Sequence, residues 1–173
     1  EGSTGITLEN NLVYNTKTGS FHQHYGKENV VRNNILVCSQ NPQIAATRVE
    51  EHLSFTLEHN IVYWKTGALF GGPWNQIRAN VDYNCYFNAA GDAITFAGMD
   101  LAAWQKLGRD QHSIIADPMF IDPENHDYHL RPESPALKIG FKPFEYNEAG
   151  VYGEADWIIK AAQSKMPKLE LAP

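Results

Sequence analysis

One short phrase recurs along the first half of the chain, an Asn followed by apolar or aromatic residues: NNLVYN, NNILVC, HNIVYW and YNCYFN. With Asn11, Asn34, Asn60 and Asn84 as anchors, the intervals are 23, 26 and 24 residues. A period this short excludes propeller blades, and the segments between anchors lack both amphipathic helices and a leucine-rich pattern. What remains is the parallel β-helix, in which each coil supplies three short strands that stack on the next coil. Strand, Asn and strand follow so closely that the chain must turn at or beside each Asn. That residue tolerates left-handed backbone, and stacked Asn amides can bond from coil to coil as a ladder.

Strand alternation then predicts which side chains face inward. Before the anchors these are Ile6 and Leu8, Asn29 and Val31, Phe55 and Leu57, and Ala79 and Val81. The outward set includes Glu9, Arg32 and Glu58, a column of alternating charge that favours stacking. After the anchors, Leu12, Ile35, Ile61 and Cys85 are predicted inward, followed by Tyr14, Val37, Tyr63 and Phe87. The third strand of each coil should lie in Ser20 to Gly26, Gln43 to His52 and Gly67 to Trp74.

The expected fold class is all-β: a right-handed parallel β-helix of about four to five coils, with a short helix and a C-terminal cap. Residues 1–90 would form the coils, 91–113 a loop and short helix, 114–140 a closing coil and 141–173 a capping tail, all within one truncated domain. Asp100 can cap a helix in MDLAAWQKLG whose face carries Leu101, Trp104 and Leu107, with Gly108 ending it. Ile114 to Ile115 and Met119 to Ile121 read as short strands between Asp-Pro turns, and Glu154 to Gln163 as a helix covering the open end.

With 173 residues, 43% of them hydrophobic, the chain can bury a core, while a net charge of −6 with scattered basic residues argues against a nucleic-acid partner. No apolar run is long enough to span a bilayer, so no membrane role is expected. Cys38 and Cys85 lie in different repeats and are expected as separate thiols. The opening EGSTGITLENN enters the repeat at once, without an initiator Met or a signal. The expectation is therefore a fragment of a longer protein, self-associating through the exposed N-terminal coil.

Three phrases together carry a resemblance: GSFHQHYGKENVVRNNI (Gly19 to Ile35), AWQKLGRDQHS (Ala103 to Ser113) and ADPMFIDPENHDYHLRPESPALKIGF (Ala116 to Phe141). They resemble the C-terminal half of large bacterial right-handed parallel β-helix proteins of the pectate-lyase-like superfamily. The nearest enzymes are similar to glycoside hydrolase family 141, which has fucosidase and xylanase members. The resemblance implies a secreted or periplasmic protein, a polysaccharide or oligosaccharide partner and glycosidic hydrolysis by two carboxyl groups. It also implies that one such carboxylate precedes Glu1, so this fragment contains no confident catalytic residue and would be inactive alone. A lyase is the alternative, with Ca²⁺ as its cofactor where hydrolysis needs none, and a non-catalytic carbohydrate-binding or adhesin solenoid is another.

Substrate-binding candidates follow from the third strand. His22 and His24 share a face opposite Phe21, and imidazoles there could bond sugar hydroxyls or assist proton transfer. A zinc site would need a third ligand, His52 or Glu50, and is not the preferred reading. Arg48, in a charged run with Glu50, Glu51 and His52, could clamp a uronate or sulfate. Trp74, after Gly71-Gly72-Pro73, could stack on a sugar. Trp64 and Trp104 read as packing residues, Asp110 and His112 as braces of the turn after the helix, and Glu1 as the rim of the missing acid site.

Overall fold

The computed structural model describes residues 2–165, so Glu1 and its expected place at an acid site lie outside the described residues. The chain divides into two units, Glu1–Pro143 and Phe144–Pro173. In the first, the sequence period becomes a right-handed parallel β-solenoid. Its first coil carries β1 (Thr7–Glu9), β2 (Leu12–Tyr14) and β3 (Phe21–Gln23), and its second β4 (Asn29–Arg32), β5 (Ile35–Val37) and β6 (Ile44–Ala46). The third carries β7 (Phe55–Glu58), β8 (Ile61–Trp64) and β9 (Phe70–Gly71), and the fourth β10 (Ala79–Asp82) and β11 (Cys85–Asn88). A further strand, β12 (Ile114–Ile115), stacks on β11. Three sheets result, in the orders β1-β4-β7-β10, β12-β11-β8-β5-β2 and β3-β6-β9, with every pairing among them parallel.

The corner between the first two sheets is set by the residue before each anchor. Asn10, Asn33, His59 and Tyr83 all take left-handed backbone, with φ between 52° and 56°. The anchor amide then points into the solenoid. Asn11 Nδ2 donates to Asn34 Oδ1 at 2.9 Å, Asn34 Nδ2 to Asn60 Oδ1 at 2.9 Å, and Asn60 Nδ2 to Asn84 Oδ1 at 3.1 Å. Each of these acceptor oxygens also takes the preceding anchor's backbone N–H at 3.0 Å. The ladder ends on Ser113 Oγ, which accepts from Asn84 N at 2.8 Å, and on Asp110. Asp110 is fully buried; Trp104 Nε1 donates to its Oδ2 at 2.7 Å, and Tyr86 OH and Ser113 Oγ donate to its Oδ1 at 3.0 and 2.5 Å. Burial raises its carboxyl above the usual range, and these donors offset only part of that. The expected bracing role of Asp110 is thus a cap on the ladder.

Inward residues of the first sheet match the alternation: Val31, Phe55, Leu57 and Val81 are buried, and Asn29 is buried with them. Ile6, on the first coil, is 56% exposed. The second sheet corrects the sequence reading by one residue. Leu36, Val62, Trp64 and Tyr86 join the core with Val31, Phe55 and Leu57, whereas Ile35, Ile61 and Cys85 face outward. The anchor Asn itself occupies an inward position, so the residue after it must face out. Those outward residues are nevertheless buried, because a later segment covers them.

That segment follows α1 (Leu101–Gln105), whose N-cap Asp100 accepts from Ala103 N at 2.7 Å. Leu107 lies beyond the helix end and is 56% exposed, so only Trp104 of the predicted face is buried. After β12 the chain turns back along the outside of the second sheet as an antiparallel pair, β13 (Phe120–Asp122) and β14 (Asp127–Leu130), joined by a 3₁₀ turn at Pro123–Asn125. Cys85 Sγ bonds to Ala116 O at 3.3 Å, Phe120 packs on Tyr63 with ring centroids 5.5 Å apart, and Tyr128 packs on Tyr14 at 5.9 Å. A short helix α2 (Pro135–Lys138), capped by Ser134, leads to Lys142, whose N donates to Asn33 Oδ1 at 2.7 Å. Residues 116–142 are therefore a strap that touches all four coils. In the second unit, Ala155–Gln163 forms the predicted helix, α3, with all its residues exposed. No described helix is long and apolar enough to cross a membrane.

Candidate functional site

The outward face of β3-β6-β9 gathers the predicted histidines. Register pairs His22 with Ala45, and the next outward positions, His24 and Thr47, continue it. Thr47 N donates to Gln23 O at 3.0 Å, which fixes the threonine beside both rings. Its Oγ1 lies 2.7 Å from His22 Nε2 and 2.9 Å from His24 Nδ1, and the ring centroids are 6.3 Å apart. All three side chains belong to exposed residues. Phe21 and Gln23, at the alternate positions, turn inward; Phe21 packs edge-on to Phe55 at 5.5 Å.

Arg48 joins the cluster through an aromatic neighbour. Its guanidinium carbon sits 4.3 Å from the centroid of the Tyr25 ring, and Nε donates to Glu50 Oε1 at 3.0 Å. Tyr25 in turn meets His24 edge to face at 4.7 Å. His22, His24, Thr47, Tyr25, Arg48 and Glu50 thus form one polar surface along two coils. His52 is directed elsewhere, donating from Nε2 to Gly26 O at 3.0 Å. Among the described residues no three His, Cys, Asp or Glu side chains come together to hold a metal ion.

Trp74 is corrected. It is 0% exposed, stacked on Phe70 at 3.9 Å between centroids, with Nε1 donating to Gly71 O at 3.0 Å. After the Gly71-Gly72-Pro73 bend the chain re-enters the core, so the indole has no face to offer a sugar. A pocket of about 290 Å³ beside the histidines is floored by Leu8, Phe21 and Val31, the solenoid interior seen at the first coil.

The outward column of the first sheet holds further ionisable groups. Arg32 Nε donates to Glu9 Oε2 at 2.7 Å, a bond that raises the guanidinium value, and Glu58 stands in register with Asp82 on the next strand. Among the described residues the third sheet presents no carboxylate pair, the outward residues of its strands being His22, Ala45 and Gly71. The first sheet does place two carboxylates side by side. Asp82, however, is occupied: Oδ1 accepts from the backbone of Tyr83 at 2.8 Å and of His112 at 2.7 Å, and Oδ2 accepts from His112 Nδ1 at 2.8 Å. Burial pushes its carboxyl up, but the bonds from His112 and Tyr83 outweigh this and hold it below the usual range. His112 stacks on Tyr83 at 4.6 Å, and Tyr83 on His59 at 4.9 Å. Sequence order hides this stack, since it forms only once the left-handed corners are superposed.

No family model matches the chain, and no solved structure matches it. It is similar to a protein described as the uncharacterized protein YwoF of Bacillus subtilis (strain 168), with 25% identity over 145 residues. That match covers 80% of this chain and 27% of the relative, so the chain spans little more than a quarter of the relative's length.

Proposed function

We propose that the chain is part of a polysaccharide-processing β-solenoid and that it binds a glycan across the outer face of β3-β6-β9. The observation that carries this is the exposed His22–Thr47–His24 group set beside Arg48 and Tyr25. Ring nitrogens, a hydroxyl and a guanidinium are hydrogen-bonding partners for sugar hydroxyls and carboxylates, and the Tyr25 ring adds apolar surface. Arg48 is the residue that would favour an acidic sugar. For the whole protein we propose glycosidic hydrolysis, as in glycoside hydrolase family 141, by two carboxyl groups carried outside these 173 residues. Among the described residues no carboxylate pair lies on this sheet face, so the part described here would bind and position.

Titration calorimetry and ¹H–¹⁵N NMR with xylan, fucose-containing and uronate oligomers test the reading. Binding should shift His22, His24 and Arg48 signals together. His22→Ala with His24→Ala should weaken it about tenfold, the loss of one to two hydrogen bonds at ~1 kcal/mol each. Shifts confined to other faces, or unchanged affinity in the double variant, would refute it.

A further inference from the structure

The Thr47 hydroxyl has one hydrogen and two imidazole neighbours. A neutral imidazole has one N–H and one bare nitrogen. Both contacts, at 2.7 Å to His22 Nε2 and 2.9 Å to His24 Nδ1, are satisfied when Thr47 donates to one ring and accepts from the other. If it donates to His24 Nδ1, His24 carries its hydrogen on Nε2, while His22 donates from Nε2 and leaves Nδ1 bare. In the reverse arrangement His22 is hydrogenated on Nδ1 and His24 Nε2 is bare. Among the described residues the two outer nitrogens, His22 Nδ1 and His24 Nε2, have no hydrogen-bond partner, and in either arrangement one is a donor and the other an acceptor.

We propose that His22, Thr47 and His24 form a hydroxyl-bridged proton relay, an acid–base pair acting on two oxygen atoms of one bound glycan. This rests on the glycan reading for its substrate but not for its chemistry. The step balances. A proton enters at bare His22 Nδ1, the His22 Nε2 proton passes to Thr47 Oγ1, the Thr47 proton passes to His24 Nδ1, and the His24 Nε2 proton leaves. One proton is taken up, one is released 6.3 Å away in ring-centroid terms, and the net charge is unchanged. The chain holds a contrast to this arrangement. His112 faces an ionised carboxylate, Asp82, which holds its hydrogen on Nδ1, whereas among the described residues no carboxylate bonds His22 or His24. Thr47 is the positioning residue, and Arg48, the nearby cation, is held by Tyr25 and Glu50.

The test fixes one end of the relay and reads the other, with no glycan present. Lys at position 24 can only donate to Thr47, so His24→Lys should drive His22 to the Nδ1–H form. Glu can only accept, so His24→Glu should drive His22 to Nε2–H. Long-range ¹H–¹⁵N NMR at a pH where the ring is neutral reads the two forms directly. Adding Thr47→Val to each variant should abolish the difference, which separates relay from simple charge, and Thr47→Ser should keep it. The same His22 form in both variants, or a switch that survives Thr47→Val, overturns the relay. An intact switch in a chain whose unsubstituted form binds none of the glycan oligomers would overturn the glycan reading instead.

Discussion

Asn60 is the position where the ladder can be weighed. Its side chain is 1% exposed; Oδ1 accepts from Asn34 N at 3.0 Å and Asn34 Nδ2 at 2.9 Å, and Nδ2 donates to Val31 O, Glu58 O and Asn84 Oδ1 at 2.9, 2.9 and 3.1 Å. In Asn60→Ala some partners keep other bonds: Asn34 Nδ2 still reaches Leu8 O and Arg32 O, Glu58 O still accepts from Asn33 N, and Asn84 Oδ1 still accepts from Asn60 N. The buried Asn34 N–H is left without an acceptor. One orphaned donor costs about 1–3 kcal/mol and the bond to Val31 O, lost outright, about 1 kcal/mol, so the variant should lose about 2–4 kcal/mol. Against a typical domain stability of about 5–15 kcal/mol this is a large fraction. Asn11 supplies the internal comparison. It is only half-buried, and Asn34 Oδ1 keeps the Asn11 backbone N–H, so Asn11→Ala should lose about 1 kcal/mol. Urea unfolding followed by circular dichroism measures both, with the midpoint moving at unchanged slope. Equal costs at the two positions, or less than about 1 kcal/mol at Asn60, would mean that the amides are solvated rather than laddered.

Two further outcomes follow from ionisable groups. Asp82 titrates below its ordinary 3.8 in the folded chain, so its contribution is present above that pH and lost as pH falls through the depressed value. Wild type should exceed Asp82→Asn by about 1 kcal/mol at pH 7, with the gap closing in acid; a gap that persists there would assign the effect to packing. Burial pushes the Cys85 thiol up to about 12 and raises Cys38 less far, Cys38 being only half-buried. A disulfide reagent at pH 8 should modify Cys38 in the native chain and Cys85 only after unfolding. Comparable native rates would contradict the strap's cover over Cys85.

The coils were legible because one residue type recurs at a solenoid spacing, and a buried amide ladder demands that residue. The parity of the second sheet was not legible, because it depends on where the anchor side chain points. Trp74 was misplaced for a related reason: Gly-Gly-Pro announces a bend but not the side on which the chain leaves it. Thr47 was missed although a signal existed. The interval of 23 residues between the first two anchors, added to His24, lands on Thr47. The strap's first strand was visible as a short apolar run at Met119 to Ile121, its second, Asp127–Leu130, was not, and nothing in either pattern names the surface they cover.

The strap changes what kind of object this solenoid is. A stack whose coils touch only their neighbours can melt from either end, one coil at a time. Here Asn33 and Lys142 exchange bonds across 109 residues, and His59 bonds to Ile139 O across 80. No inner coil can leave until that distant segment lets go. The chain therefore trades the piecemeal melting of a repeat array for a single cooperative transition, and closing such long loops makes strap docking a late step in folding.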